Sequence, residues 1–179
     1  MIATNTMVLS KQQTFWHYSI IPFLLLVPIF TTVDVLKVYL FHNKHSDIDF
    51  FFGYIWLAPA FIFYFIQKHR LKFKIINVSV DSACFEKALQ ETINDLEWSI
   101  HNKTENFISA WSALFPRSGW GELVTIIKCK DKILINSICN PDLIAAVTAF
   151  GMNKLNVKTF ERHVRECAQH GIGIMAADK

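Results

Sequence analysis

Two long apolar runs near the start of the chain constrain it more than any other feature. Residues 50–66 read FFFGYIWLAPAFIFYFI, with no charged side chain. As a helix rising about 1.5 Å per residue this covers about 25 Å, close to a bilayer core of about 30 Å. Gln67 and the aliphatic stem of Lys68, whose ammonium can reach the interface, complete a span. Pro59 and Gly53 are compatible with it, because a backbone in hydrocarbon has no water to bond and stays helical around a proline. The earlier run, residues 16–41, is longer and holds Pro22, Pro28, Asp34 and Lys37. A charge at the bilayer centre costs about 2.5–3.5 kcal/mol, so the span is expected over about residues 17–35 with Asp34 and Lys37 at the membrane edge. The alternative for that pair, three residues apart on one helix face, is an intramembrane ion pair on a transport path.

Of the 179 residues 52% are hydrophobic and 18% charged, against about 25% charged in soluble domains. This excludes a purely soluble chain, a disordered one, a collagen-like repeat and a small disulfide scaffold. Residues 42–49 between the runs are polar and short, which calls for a hairpin of antiparallel helices. Residues 1–74 carry seven Lys or Arg against three Asp, and residues 75–179 carry eleven basic against twelve acidic side chains. The positive charge therefore belongs to a collar, Lys68, Arg70, Lys72 and Lys74, directly after the second run. Such a collar suits contact with an anionic lipid surface and, by the positive-inside rule, places both termini in the cytoplasm. With no basic stripe beyond it, nucleic acid is not an expected partner. A cleaved signal peptide is rejected, because the amino-terminal region is nearly uncharged and a second span follows the first.

The expected organisation is a cytoplasmic segment over 1–14, a transmembrane hairpin with its basic exit over 15–74, and a cytoplasmic α+β domain over 75–179. In that domain residues 77–80 alternate briefly, and Asp81 or Ser82 can cap a helix with Phe85, Leu89, Ile93 and Leu96 on one face. Short strands are expected over 98–101 and 107–111, then an antiparallel hairpin over 123–129 and 133–139, rich in Ile and Val. Asn156 is placed as the cap of a final helix, with Val157, Phe160, Val164 and Cys167 or Ala168 inward and Gly171 as its stop. The last residues look loose. Helix, about four antiparallel strands and helix make an α+β domain with helices on one sheet face.

A two-helix hairpin with a basic exit, Trp120 leading into the strand at 123–129, the hairpin to Cys139, and Phe150 before the helix carrying Phe160 together resemble bacterial two-span membrane proteins with a pleckstrin-homology-like C-terminal domain. The resemblance covers about the last fifty residues and the general layout, and the helix over 82–97 departs from it. It implies an inner-membrane location and an anchoring or scaffolding module, since such domains are generally not enzymes.

No phosphate-binding loop, dinucleotide fingerprint, nucleophile elbow or HExxH motif is present, which removes the common routes to an enzyme. The segments 116–122, 140–142 and 151–154, rich in glycine and polar groups, are the candidate ligand-binding loops, with Trp120 as an aromatic wall, Arg117 or Lys154 for an anion, and Asn153 beside them; the alternative is that the glycines serve backbone geometry and Trp120 fills the core. A protein or a small ligand fits such a cleft, and a homo-oligomer fits the hairpin. His163, Cys167 and His170 share one side of the last helix, as a thiol and base or soft metal ligands would require. The simpler reading is a boundary pair of histidines around an inward Cys167. His42, His45, Asp47 and Asp49 form a second weak metal candidate. No catalytic residue, metal or cofactor is assigned. Cys84, Cys129, Cys139 and Cys167 are expected as reduced, small buried hydrophobes.

Overall fold

The structure, a computed structural model, describes residues 5–41, 50–112, 121–142 and 151–177. The chain forms two compact units: Leu9–Arg70, and a second built from Met1–Val8 together with Leu71–Lys179. Residues 9–14 thus go with the helices, and Lys72 and Lys74 of the collar go with the α+β unit.

The first unit holds α1 (Lys11–Tyr18), α2 (Ile20–Phe41), α3 (Phe50–Tyr54) and α4 (Leu57–Arg70). Ser10 opens α1 with a reciprocal cap: its hydroxyl accepts from the Gln13 amide, and the Gln13 side chain accepts from the Ser10 amide. The first apolar run breaks at Ser19, so the apolar helix begins at Ile20 rather than near residue 17. Pro22 then falls in the first turn of α2, where the missing amide hydrogen has no helical partner to lose. The second run is interrupted between α3 and α4 at Ile55 and Trp56. The cause is Pro59: it cannot donate to the Ile55 carbonyl, which instead accepts from Ala58 in a tighter turn.

α2 and the stretch Phe51–Arg70 are long and apolar enough to cross a membrane. They are apolar around their circumference: Phe23, Phe30 and Phe61 are each more than 60% exposed, with Leu26, Ile29, Leu36, Ile62 and Phe65 also exposed. α2 packs along α4, and at Gly53 of α3 a Cβ would overlap the fully buried Thr31. Thr32 and the Tyr54 hydroxyl lie 3.0 Å apart beside that contact. α1 is tied to α4 by the buried pair His17 and Gln67: the Gln67 amide donates to the His17 carbonyl at 2.8 Å, and a His17 ring nitrogen lies 3.0 Å from the Gln67 carbonyl.

The second unit contains β1 (Lys74–Ile76), α5 (Ser82–Leu96), β2 (Trp98–Lys103), β3 (Phe107–Ser112), β4 (Glu122–Lys128), β5 (Ile133–Cys139) and α6 (Met152–Ala177). The strands form one antiparallel sheet in the order β1-β5-β4-β3-β2. This is α+β, with five strands rather than about four. The additional strand is β1 itself; residues 77–80, the brief alternating piece, connect it to α5. Residues 5–7 meet residues 71–73 in an antiparallel bridge, with the Met7 amide donating to Leu71 and the Phe73 amide to Asn5.

α5 and α6 run antiparallel over one sheet face and close the core. Phe85, Ala88 and Leu89 of α5 and Phe160 and Val164 of α6 meet Ile76, Trp98, Ile108, Ala110, Val124, Ile126, Ile133 and Ile135. α5 ends at Glu97, a non-glycine residue in the left-handed region (φ 52°). The last helix differs from expectation at both ends. It begins at Met152, four residues before Asn156, and continues past Gly171 to Ala177, so the last turns are helical rather than loose.

Two substitutions check this account. Phe160 is fully buried, with its ring 6.0 Å from that of Phe85 and 6.4 Å from that of Trp98. Phe160→Ala is expected to cost about 3–5 kcal/mol, measured by denaturant unfolding. Glu97→Gly relieves the left-handed strain and is expected to stabilise the unit by about 1 kcal/mol.

Candidate functional site

The sheet face under the helices changes character along its length. At one end its cross-strand rows are Ile and Val; at the other they turn polar. Strand pairing aligns Trp98, Ser112, Glu122 and Cys139 in one row across four strands, and Val124 with Ser137 in the next row on the same face. Ser112, Glu122 and Ser137 are buried, Glu122 to 1% exposure. The first turns of α6 lie over this row, entered through Gly151, whose positive φ (87°) turns the chain into the helix.

Asn156 is the centre of the arrangement. Its side-chain oxygen accepts from the Trp98 indole nitrogen at 3.1 Å and from the Ser112 hydroxyl at 3.2 Å. Its amide nitrogen donates to the Ser137 hydroxyl at 3.0 Å, and Ser137 donates to the Asn153 oxygen at 3.1 Å. Asn156 is therefore a fully buried core amide and not the helix cap that its position before Val157 suggested. One signal was available in the chain: Asn156 stands four residues before Phe160 and eight before Val164, on the inward stripe itself.

Among the candidate ligand-binding residues, Asn153 joins this polar end, half-buried against Ser137, while Lys154 points to the exposed side of α6. Arg117 and Trp120 lie outside the described residues. The segments flanking the polar row, 113–120 and 143–150, lie outside them as well. As described, this end of the sheet is a buried polar network in which Ser112, Ser137, Asn153 and Asn156 bond in series, and only Asn153 is half-buried.

The collar residues separate by role. Lys68 holds its ammonium 5.8 Å from the centre of the Tyr64 ring, and Arg70 donates to Gln67 at 3.3 Å. Lys72 is exposed while its carbonyl accepts from Asn136 at 2.7 Å. Lys74 pairs with Glu161 of α6. The Lys74 hydrogen bond, opposed by partial burial and aided by Arg165 at 2.9 Å, holds the Glu161 carboxyl below its ordinary range.

The Cys/His set on α6 is arranged differently from a thiol and its base. His163 is buried against α5, with one ring nitrogen 2.9 Å from Asp95 and the other 3.2 Å from Glu91. Arg162 also reaches Asp95, at 3.0 Å. Cys167 meets Cys84 of α5 as a disulfide pair, with Cα atoms 5.8 Å apart. This corrects the expectation of four reduced, buried cysteines: two pair across the helices, and all four are half-buried. The reason is tertiary, since the antiparallel packing of α5 on α6 brings together residues 83 apart in sequence. Only the backbone of His170 is described, and His42, His45, Asp47 and Asp49 lie outside the described residues. Among the described residues no cluster of three or more His, Cys, Asp or Glu is placed to hold a metal ion.

No protein-family model matches this chain, and no curated protein or solved structure matches it.

Removing the Asn156 amide leaves the buried Trp98 donor without its acceptor. Asn156→Ala is expected to cost at least about 1–3 kcal/mol on that account, and less in a Trp98→Phe background, as a double-mutant cycle in urea would show. Because the folded-state pKa of Glu161 is depressed, its contribution is present above the unfolded pKa and is lost as pH falls through the folded value. Glu161→Gln should therefore be less stable than the native chain near neutral pH, and the gap should close below the usual carboxylate range of about 4.3.

Proposed function

We propose that this protein is an integral membrane protein whose apolar helices cross the bilayer as a hairpin and present an α+β module that binds a protein or small ligand without catalysing a reaction. The observation that carries the reading is the combination of two exposed, predominantly apolar helical stretches with the bridge between residues 5–7 and 71–73. That bridge returns the chain to its point of departure, as a hairpin with both ends on one side of a membrane requires. The basic collar favours the cytoplasmic side for both ends, with Lys68 and Arg70 at the lipid interface. An inner-membrane location and a scaffolding role agree with the resemblance to two-span proteins carrying a pleckstrin-homology-like domain. Ligand recognition is proposed at the polar end of the sheet, where the half-buried Asn153 meets Ser137.

Ile29 lies near the middle of α2 and is 54% exposed. On a solvent-facing helix, Ile29→Asp would change little. In a bilayer it costs about 2.5–3.5 kcal/mol of insertion. The native chain is expected to stay in the membrane pellet after alkaline carbonate extraction, and Ile29→Asp to lower that fraction. Quantitative release of the native chain would overturn the membrane reading.

A further inference from the structure

The pairing of Cys84 with Cys167 has no part in the reading above, and it conflicts with the expectation that cytoplasmic thiols stay apart and reduced. Cys84 lies in the first turn of α5 and Cys167 in the second half of α6. The pair therefore joins the start of one helix to the later part of the other. Their Cα separation of 5.8 Å falls in the range a disulfide requires, so closure asks no movement of either backbone. Both residues are half-buried, so neither is sealed inside the core.

The helices do not need the bond to stay together. Phe85, Ala88 and Leu89 pack with Phe160 and Val164 in the core, and Asp95 pairs with Arg162 and His163 farther along. The two sulfurs are thus held within reach in either state. A pair that is pre-aligned, outside the sealed core and not needed for packing is suited to cycling.

We propose that Cys84 and Cys167 form a reversible thiol–disulfide latch between α5 and α6, closed by exchange with a small disulfide such as glutathione disulfide and reopened by the corresponding thiol. One cysteine thiolate attacks glutathione disulfide, breaking its S–S bond, forming a mixed disulfide and releasing one glutathione thiolate, which takes up a proton. The second cysteine thiolate attacks the protein sulfur of that mixed disulfide and expels the second glutathione. The protein loses two electrons and two protons, and glutathione disulfide becomes two thiols. The latch rests on the cytoplasmic placement of the module, where the glutathione pool is the ambient couple.

The test uses the full-length chain in native membranes. After equilibration in glutathione buffers of graded ratio, the samples are acid-quenched and free thiols are counted by the gel shift of a polyethylene-glycol maleimide. Four reactive cysteines under reducing conditions should fall to two as the ratio rises, and return to four when it is reversed. Cys84→Ser and Cys167→Ser should each stay at three, and the double variant Cys129→Ser, Cys139→Ser should still lose two. The closed form should also unfold at a higher temperature than the open form, a difference absent in Cys84→Ser.

Orientation is read separately, by labelling Ser46→Cys in intact cells with a membrane-impermeant maleimide. Labelling that depends on the new cysteine supports the cytoplasmic module. Labelling of the native chain itself would reject that placement, and with it the latch in its proposed compartment. With orientation upheld, a pair that stays open throughout the glutathione range, or stays closed and cannot be reopened, overturns the latch alone.

Discussion

The short antiparallel bridge between residues 5–7 and 71–73 is the constraint on which the architecture depends. It gathers the start of the chain and the segment after α4 into one unit, so that everything between them is an excursion that must come back. Residues 71–76 then enter the sheet directly: Asn136 holds the Lys72 carbonyl, and β1 pairs with β5. The sheet edge is thereby set by the same stretch that ends the helical excursion.

Within the α+β unit the energetics divide along the sheet. At the apolar end, burial of Ile, Val and Phe side chains supplies non-directional stabilisation. At the other end, one amide connects an indole from β2, hydroxyls from β3 and β5 and the amide of Asn153. Such contacts add little net stability when complete, but a misregistered strand or a shifted α6 would leave several buried polar groups unsatisfied. Asn156 thus acts on specificity, fixing the rotation of α6 against the row Trp98, Ser112, Glu122 and Cys139.

The face between α5 and α6 combines three kinds of bond: aromatic packing at Phe85 and Phe160, the polar contacts of Asp95 with Arg162 and His163, and the sulfur pair of Cys84 and Cys167. Their order along the helices matters. The sulfur pair lies at the opening end of α5, where a covalent bond can be made or broken without disturbing the core beneath it. The same geometry shows why His163 and Cys167 do not act together, although they are one helical turn apart. His163 turns to the acidic side chains of α5 and Cys167 to a cysteine.

Much of the architecture was legible in the chain. Continuous apolarity marked the two long runs, and a stripe of Phe85, Leu89 and Leu96 marked α5. Runs of Ile and Val marked β4 and β5, because such residues suit a sheet buried on both faces. These signals are local and survive without knowledge of any partner. The breaks at Ser19 and at residues 55–56 were less visible, since hydropathy does not register which carbonyl a proline leaves without its donor. Tertiary structure alone decided that Lys74 begins a strand against β5, that Asn156 is buried rather than a cap, and that Cys84 meets Cys167. Each of these depends on a partner more than fifteen residues away, and the identity of a distant neighbour is set by packing, not by the residues on either side.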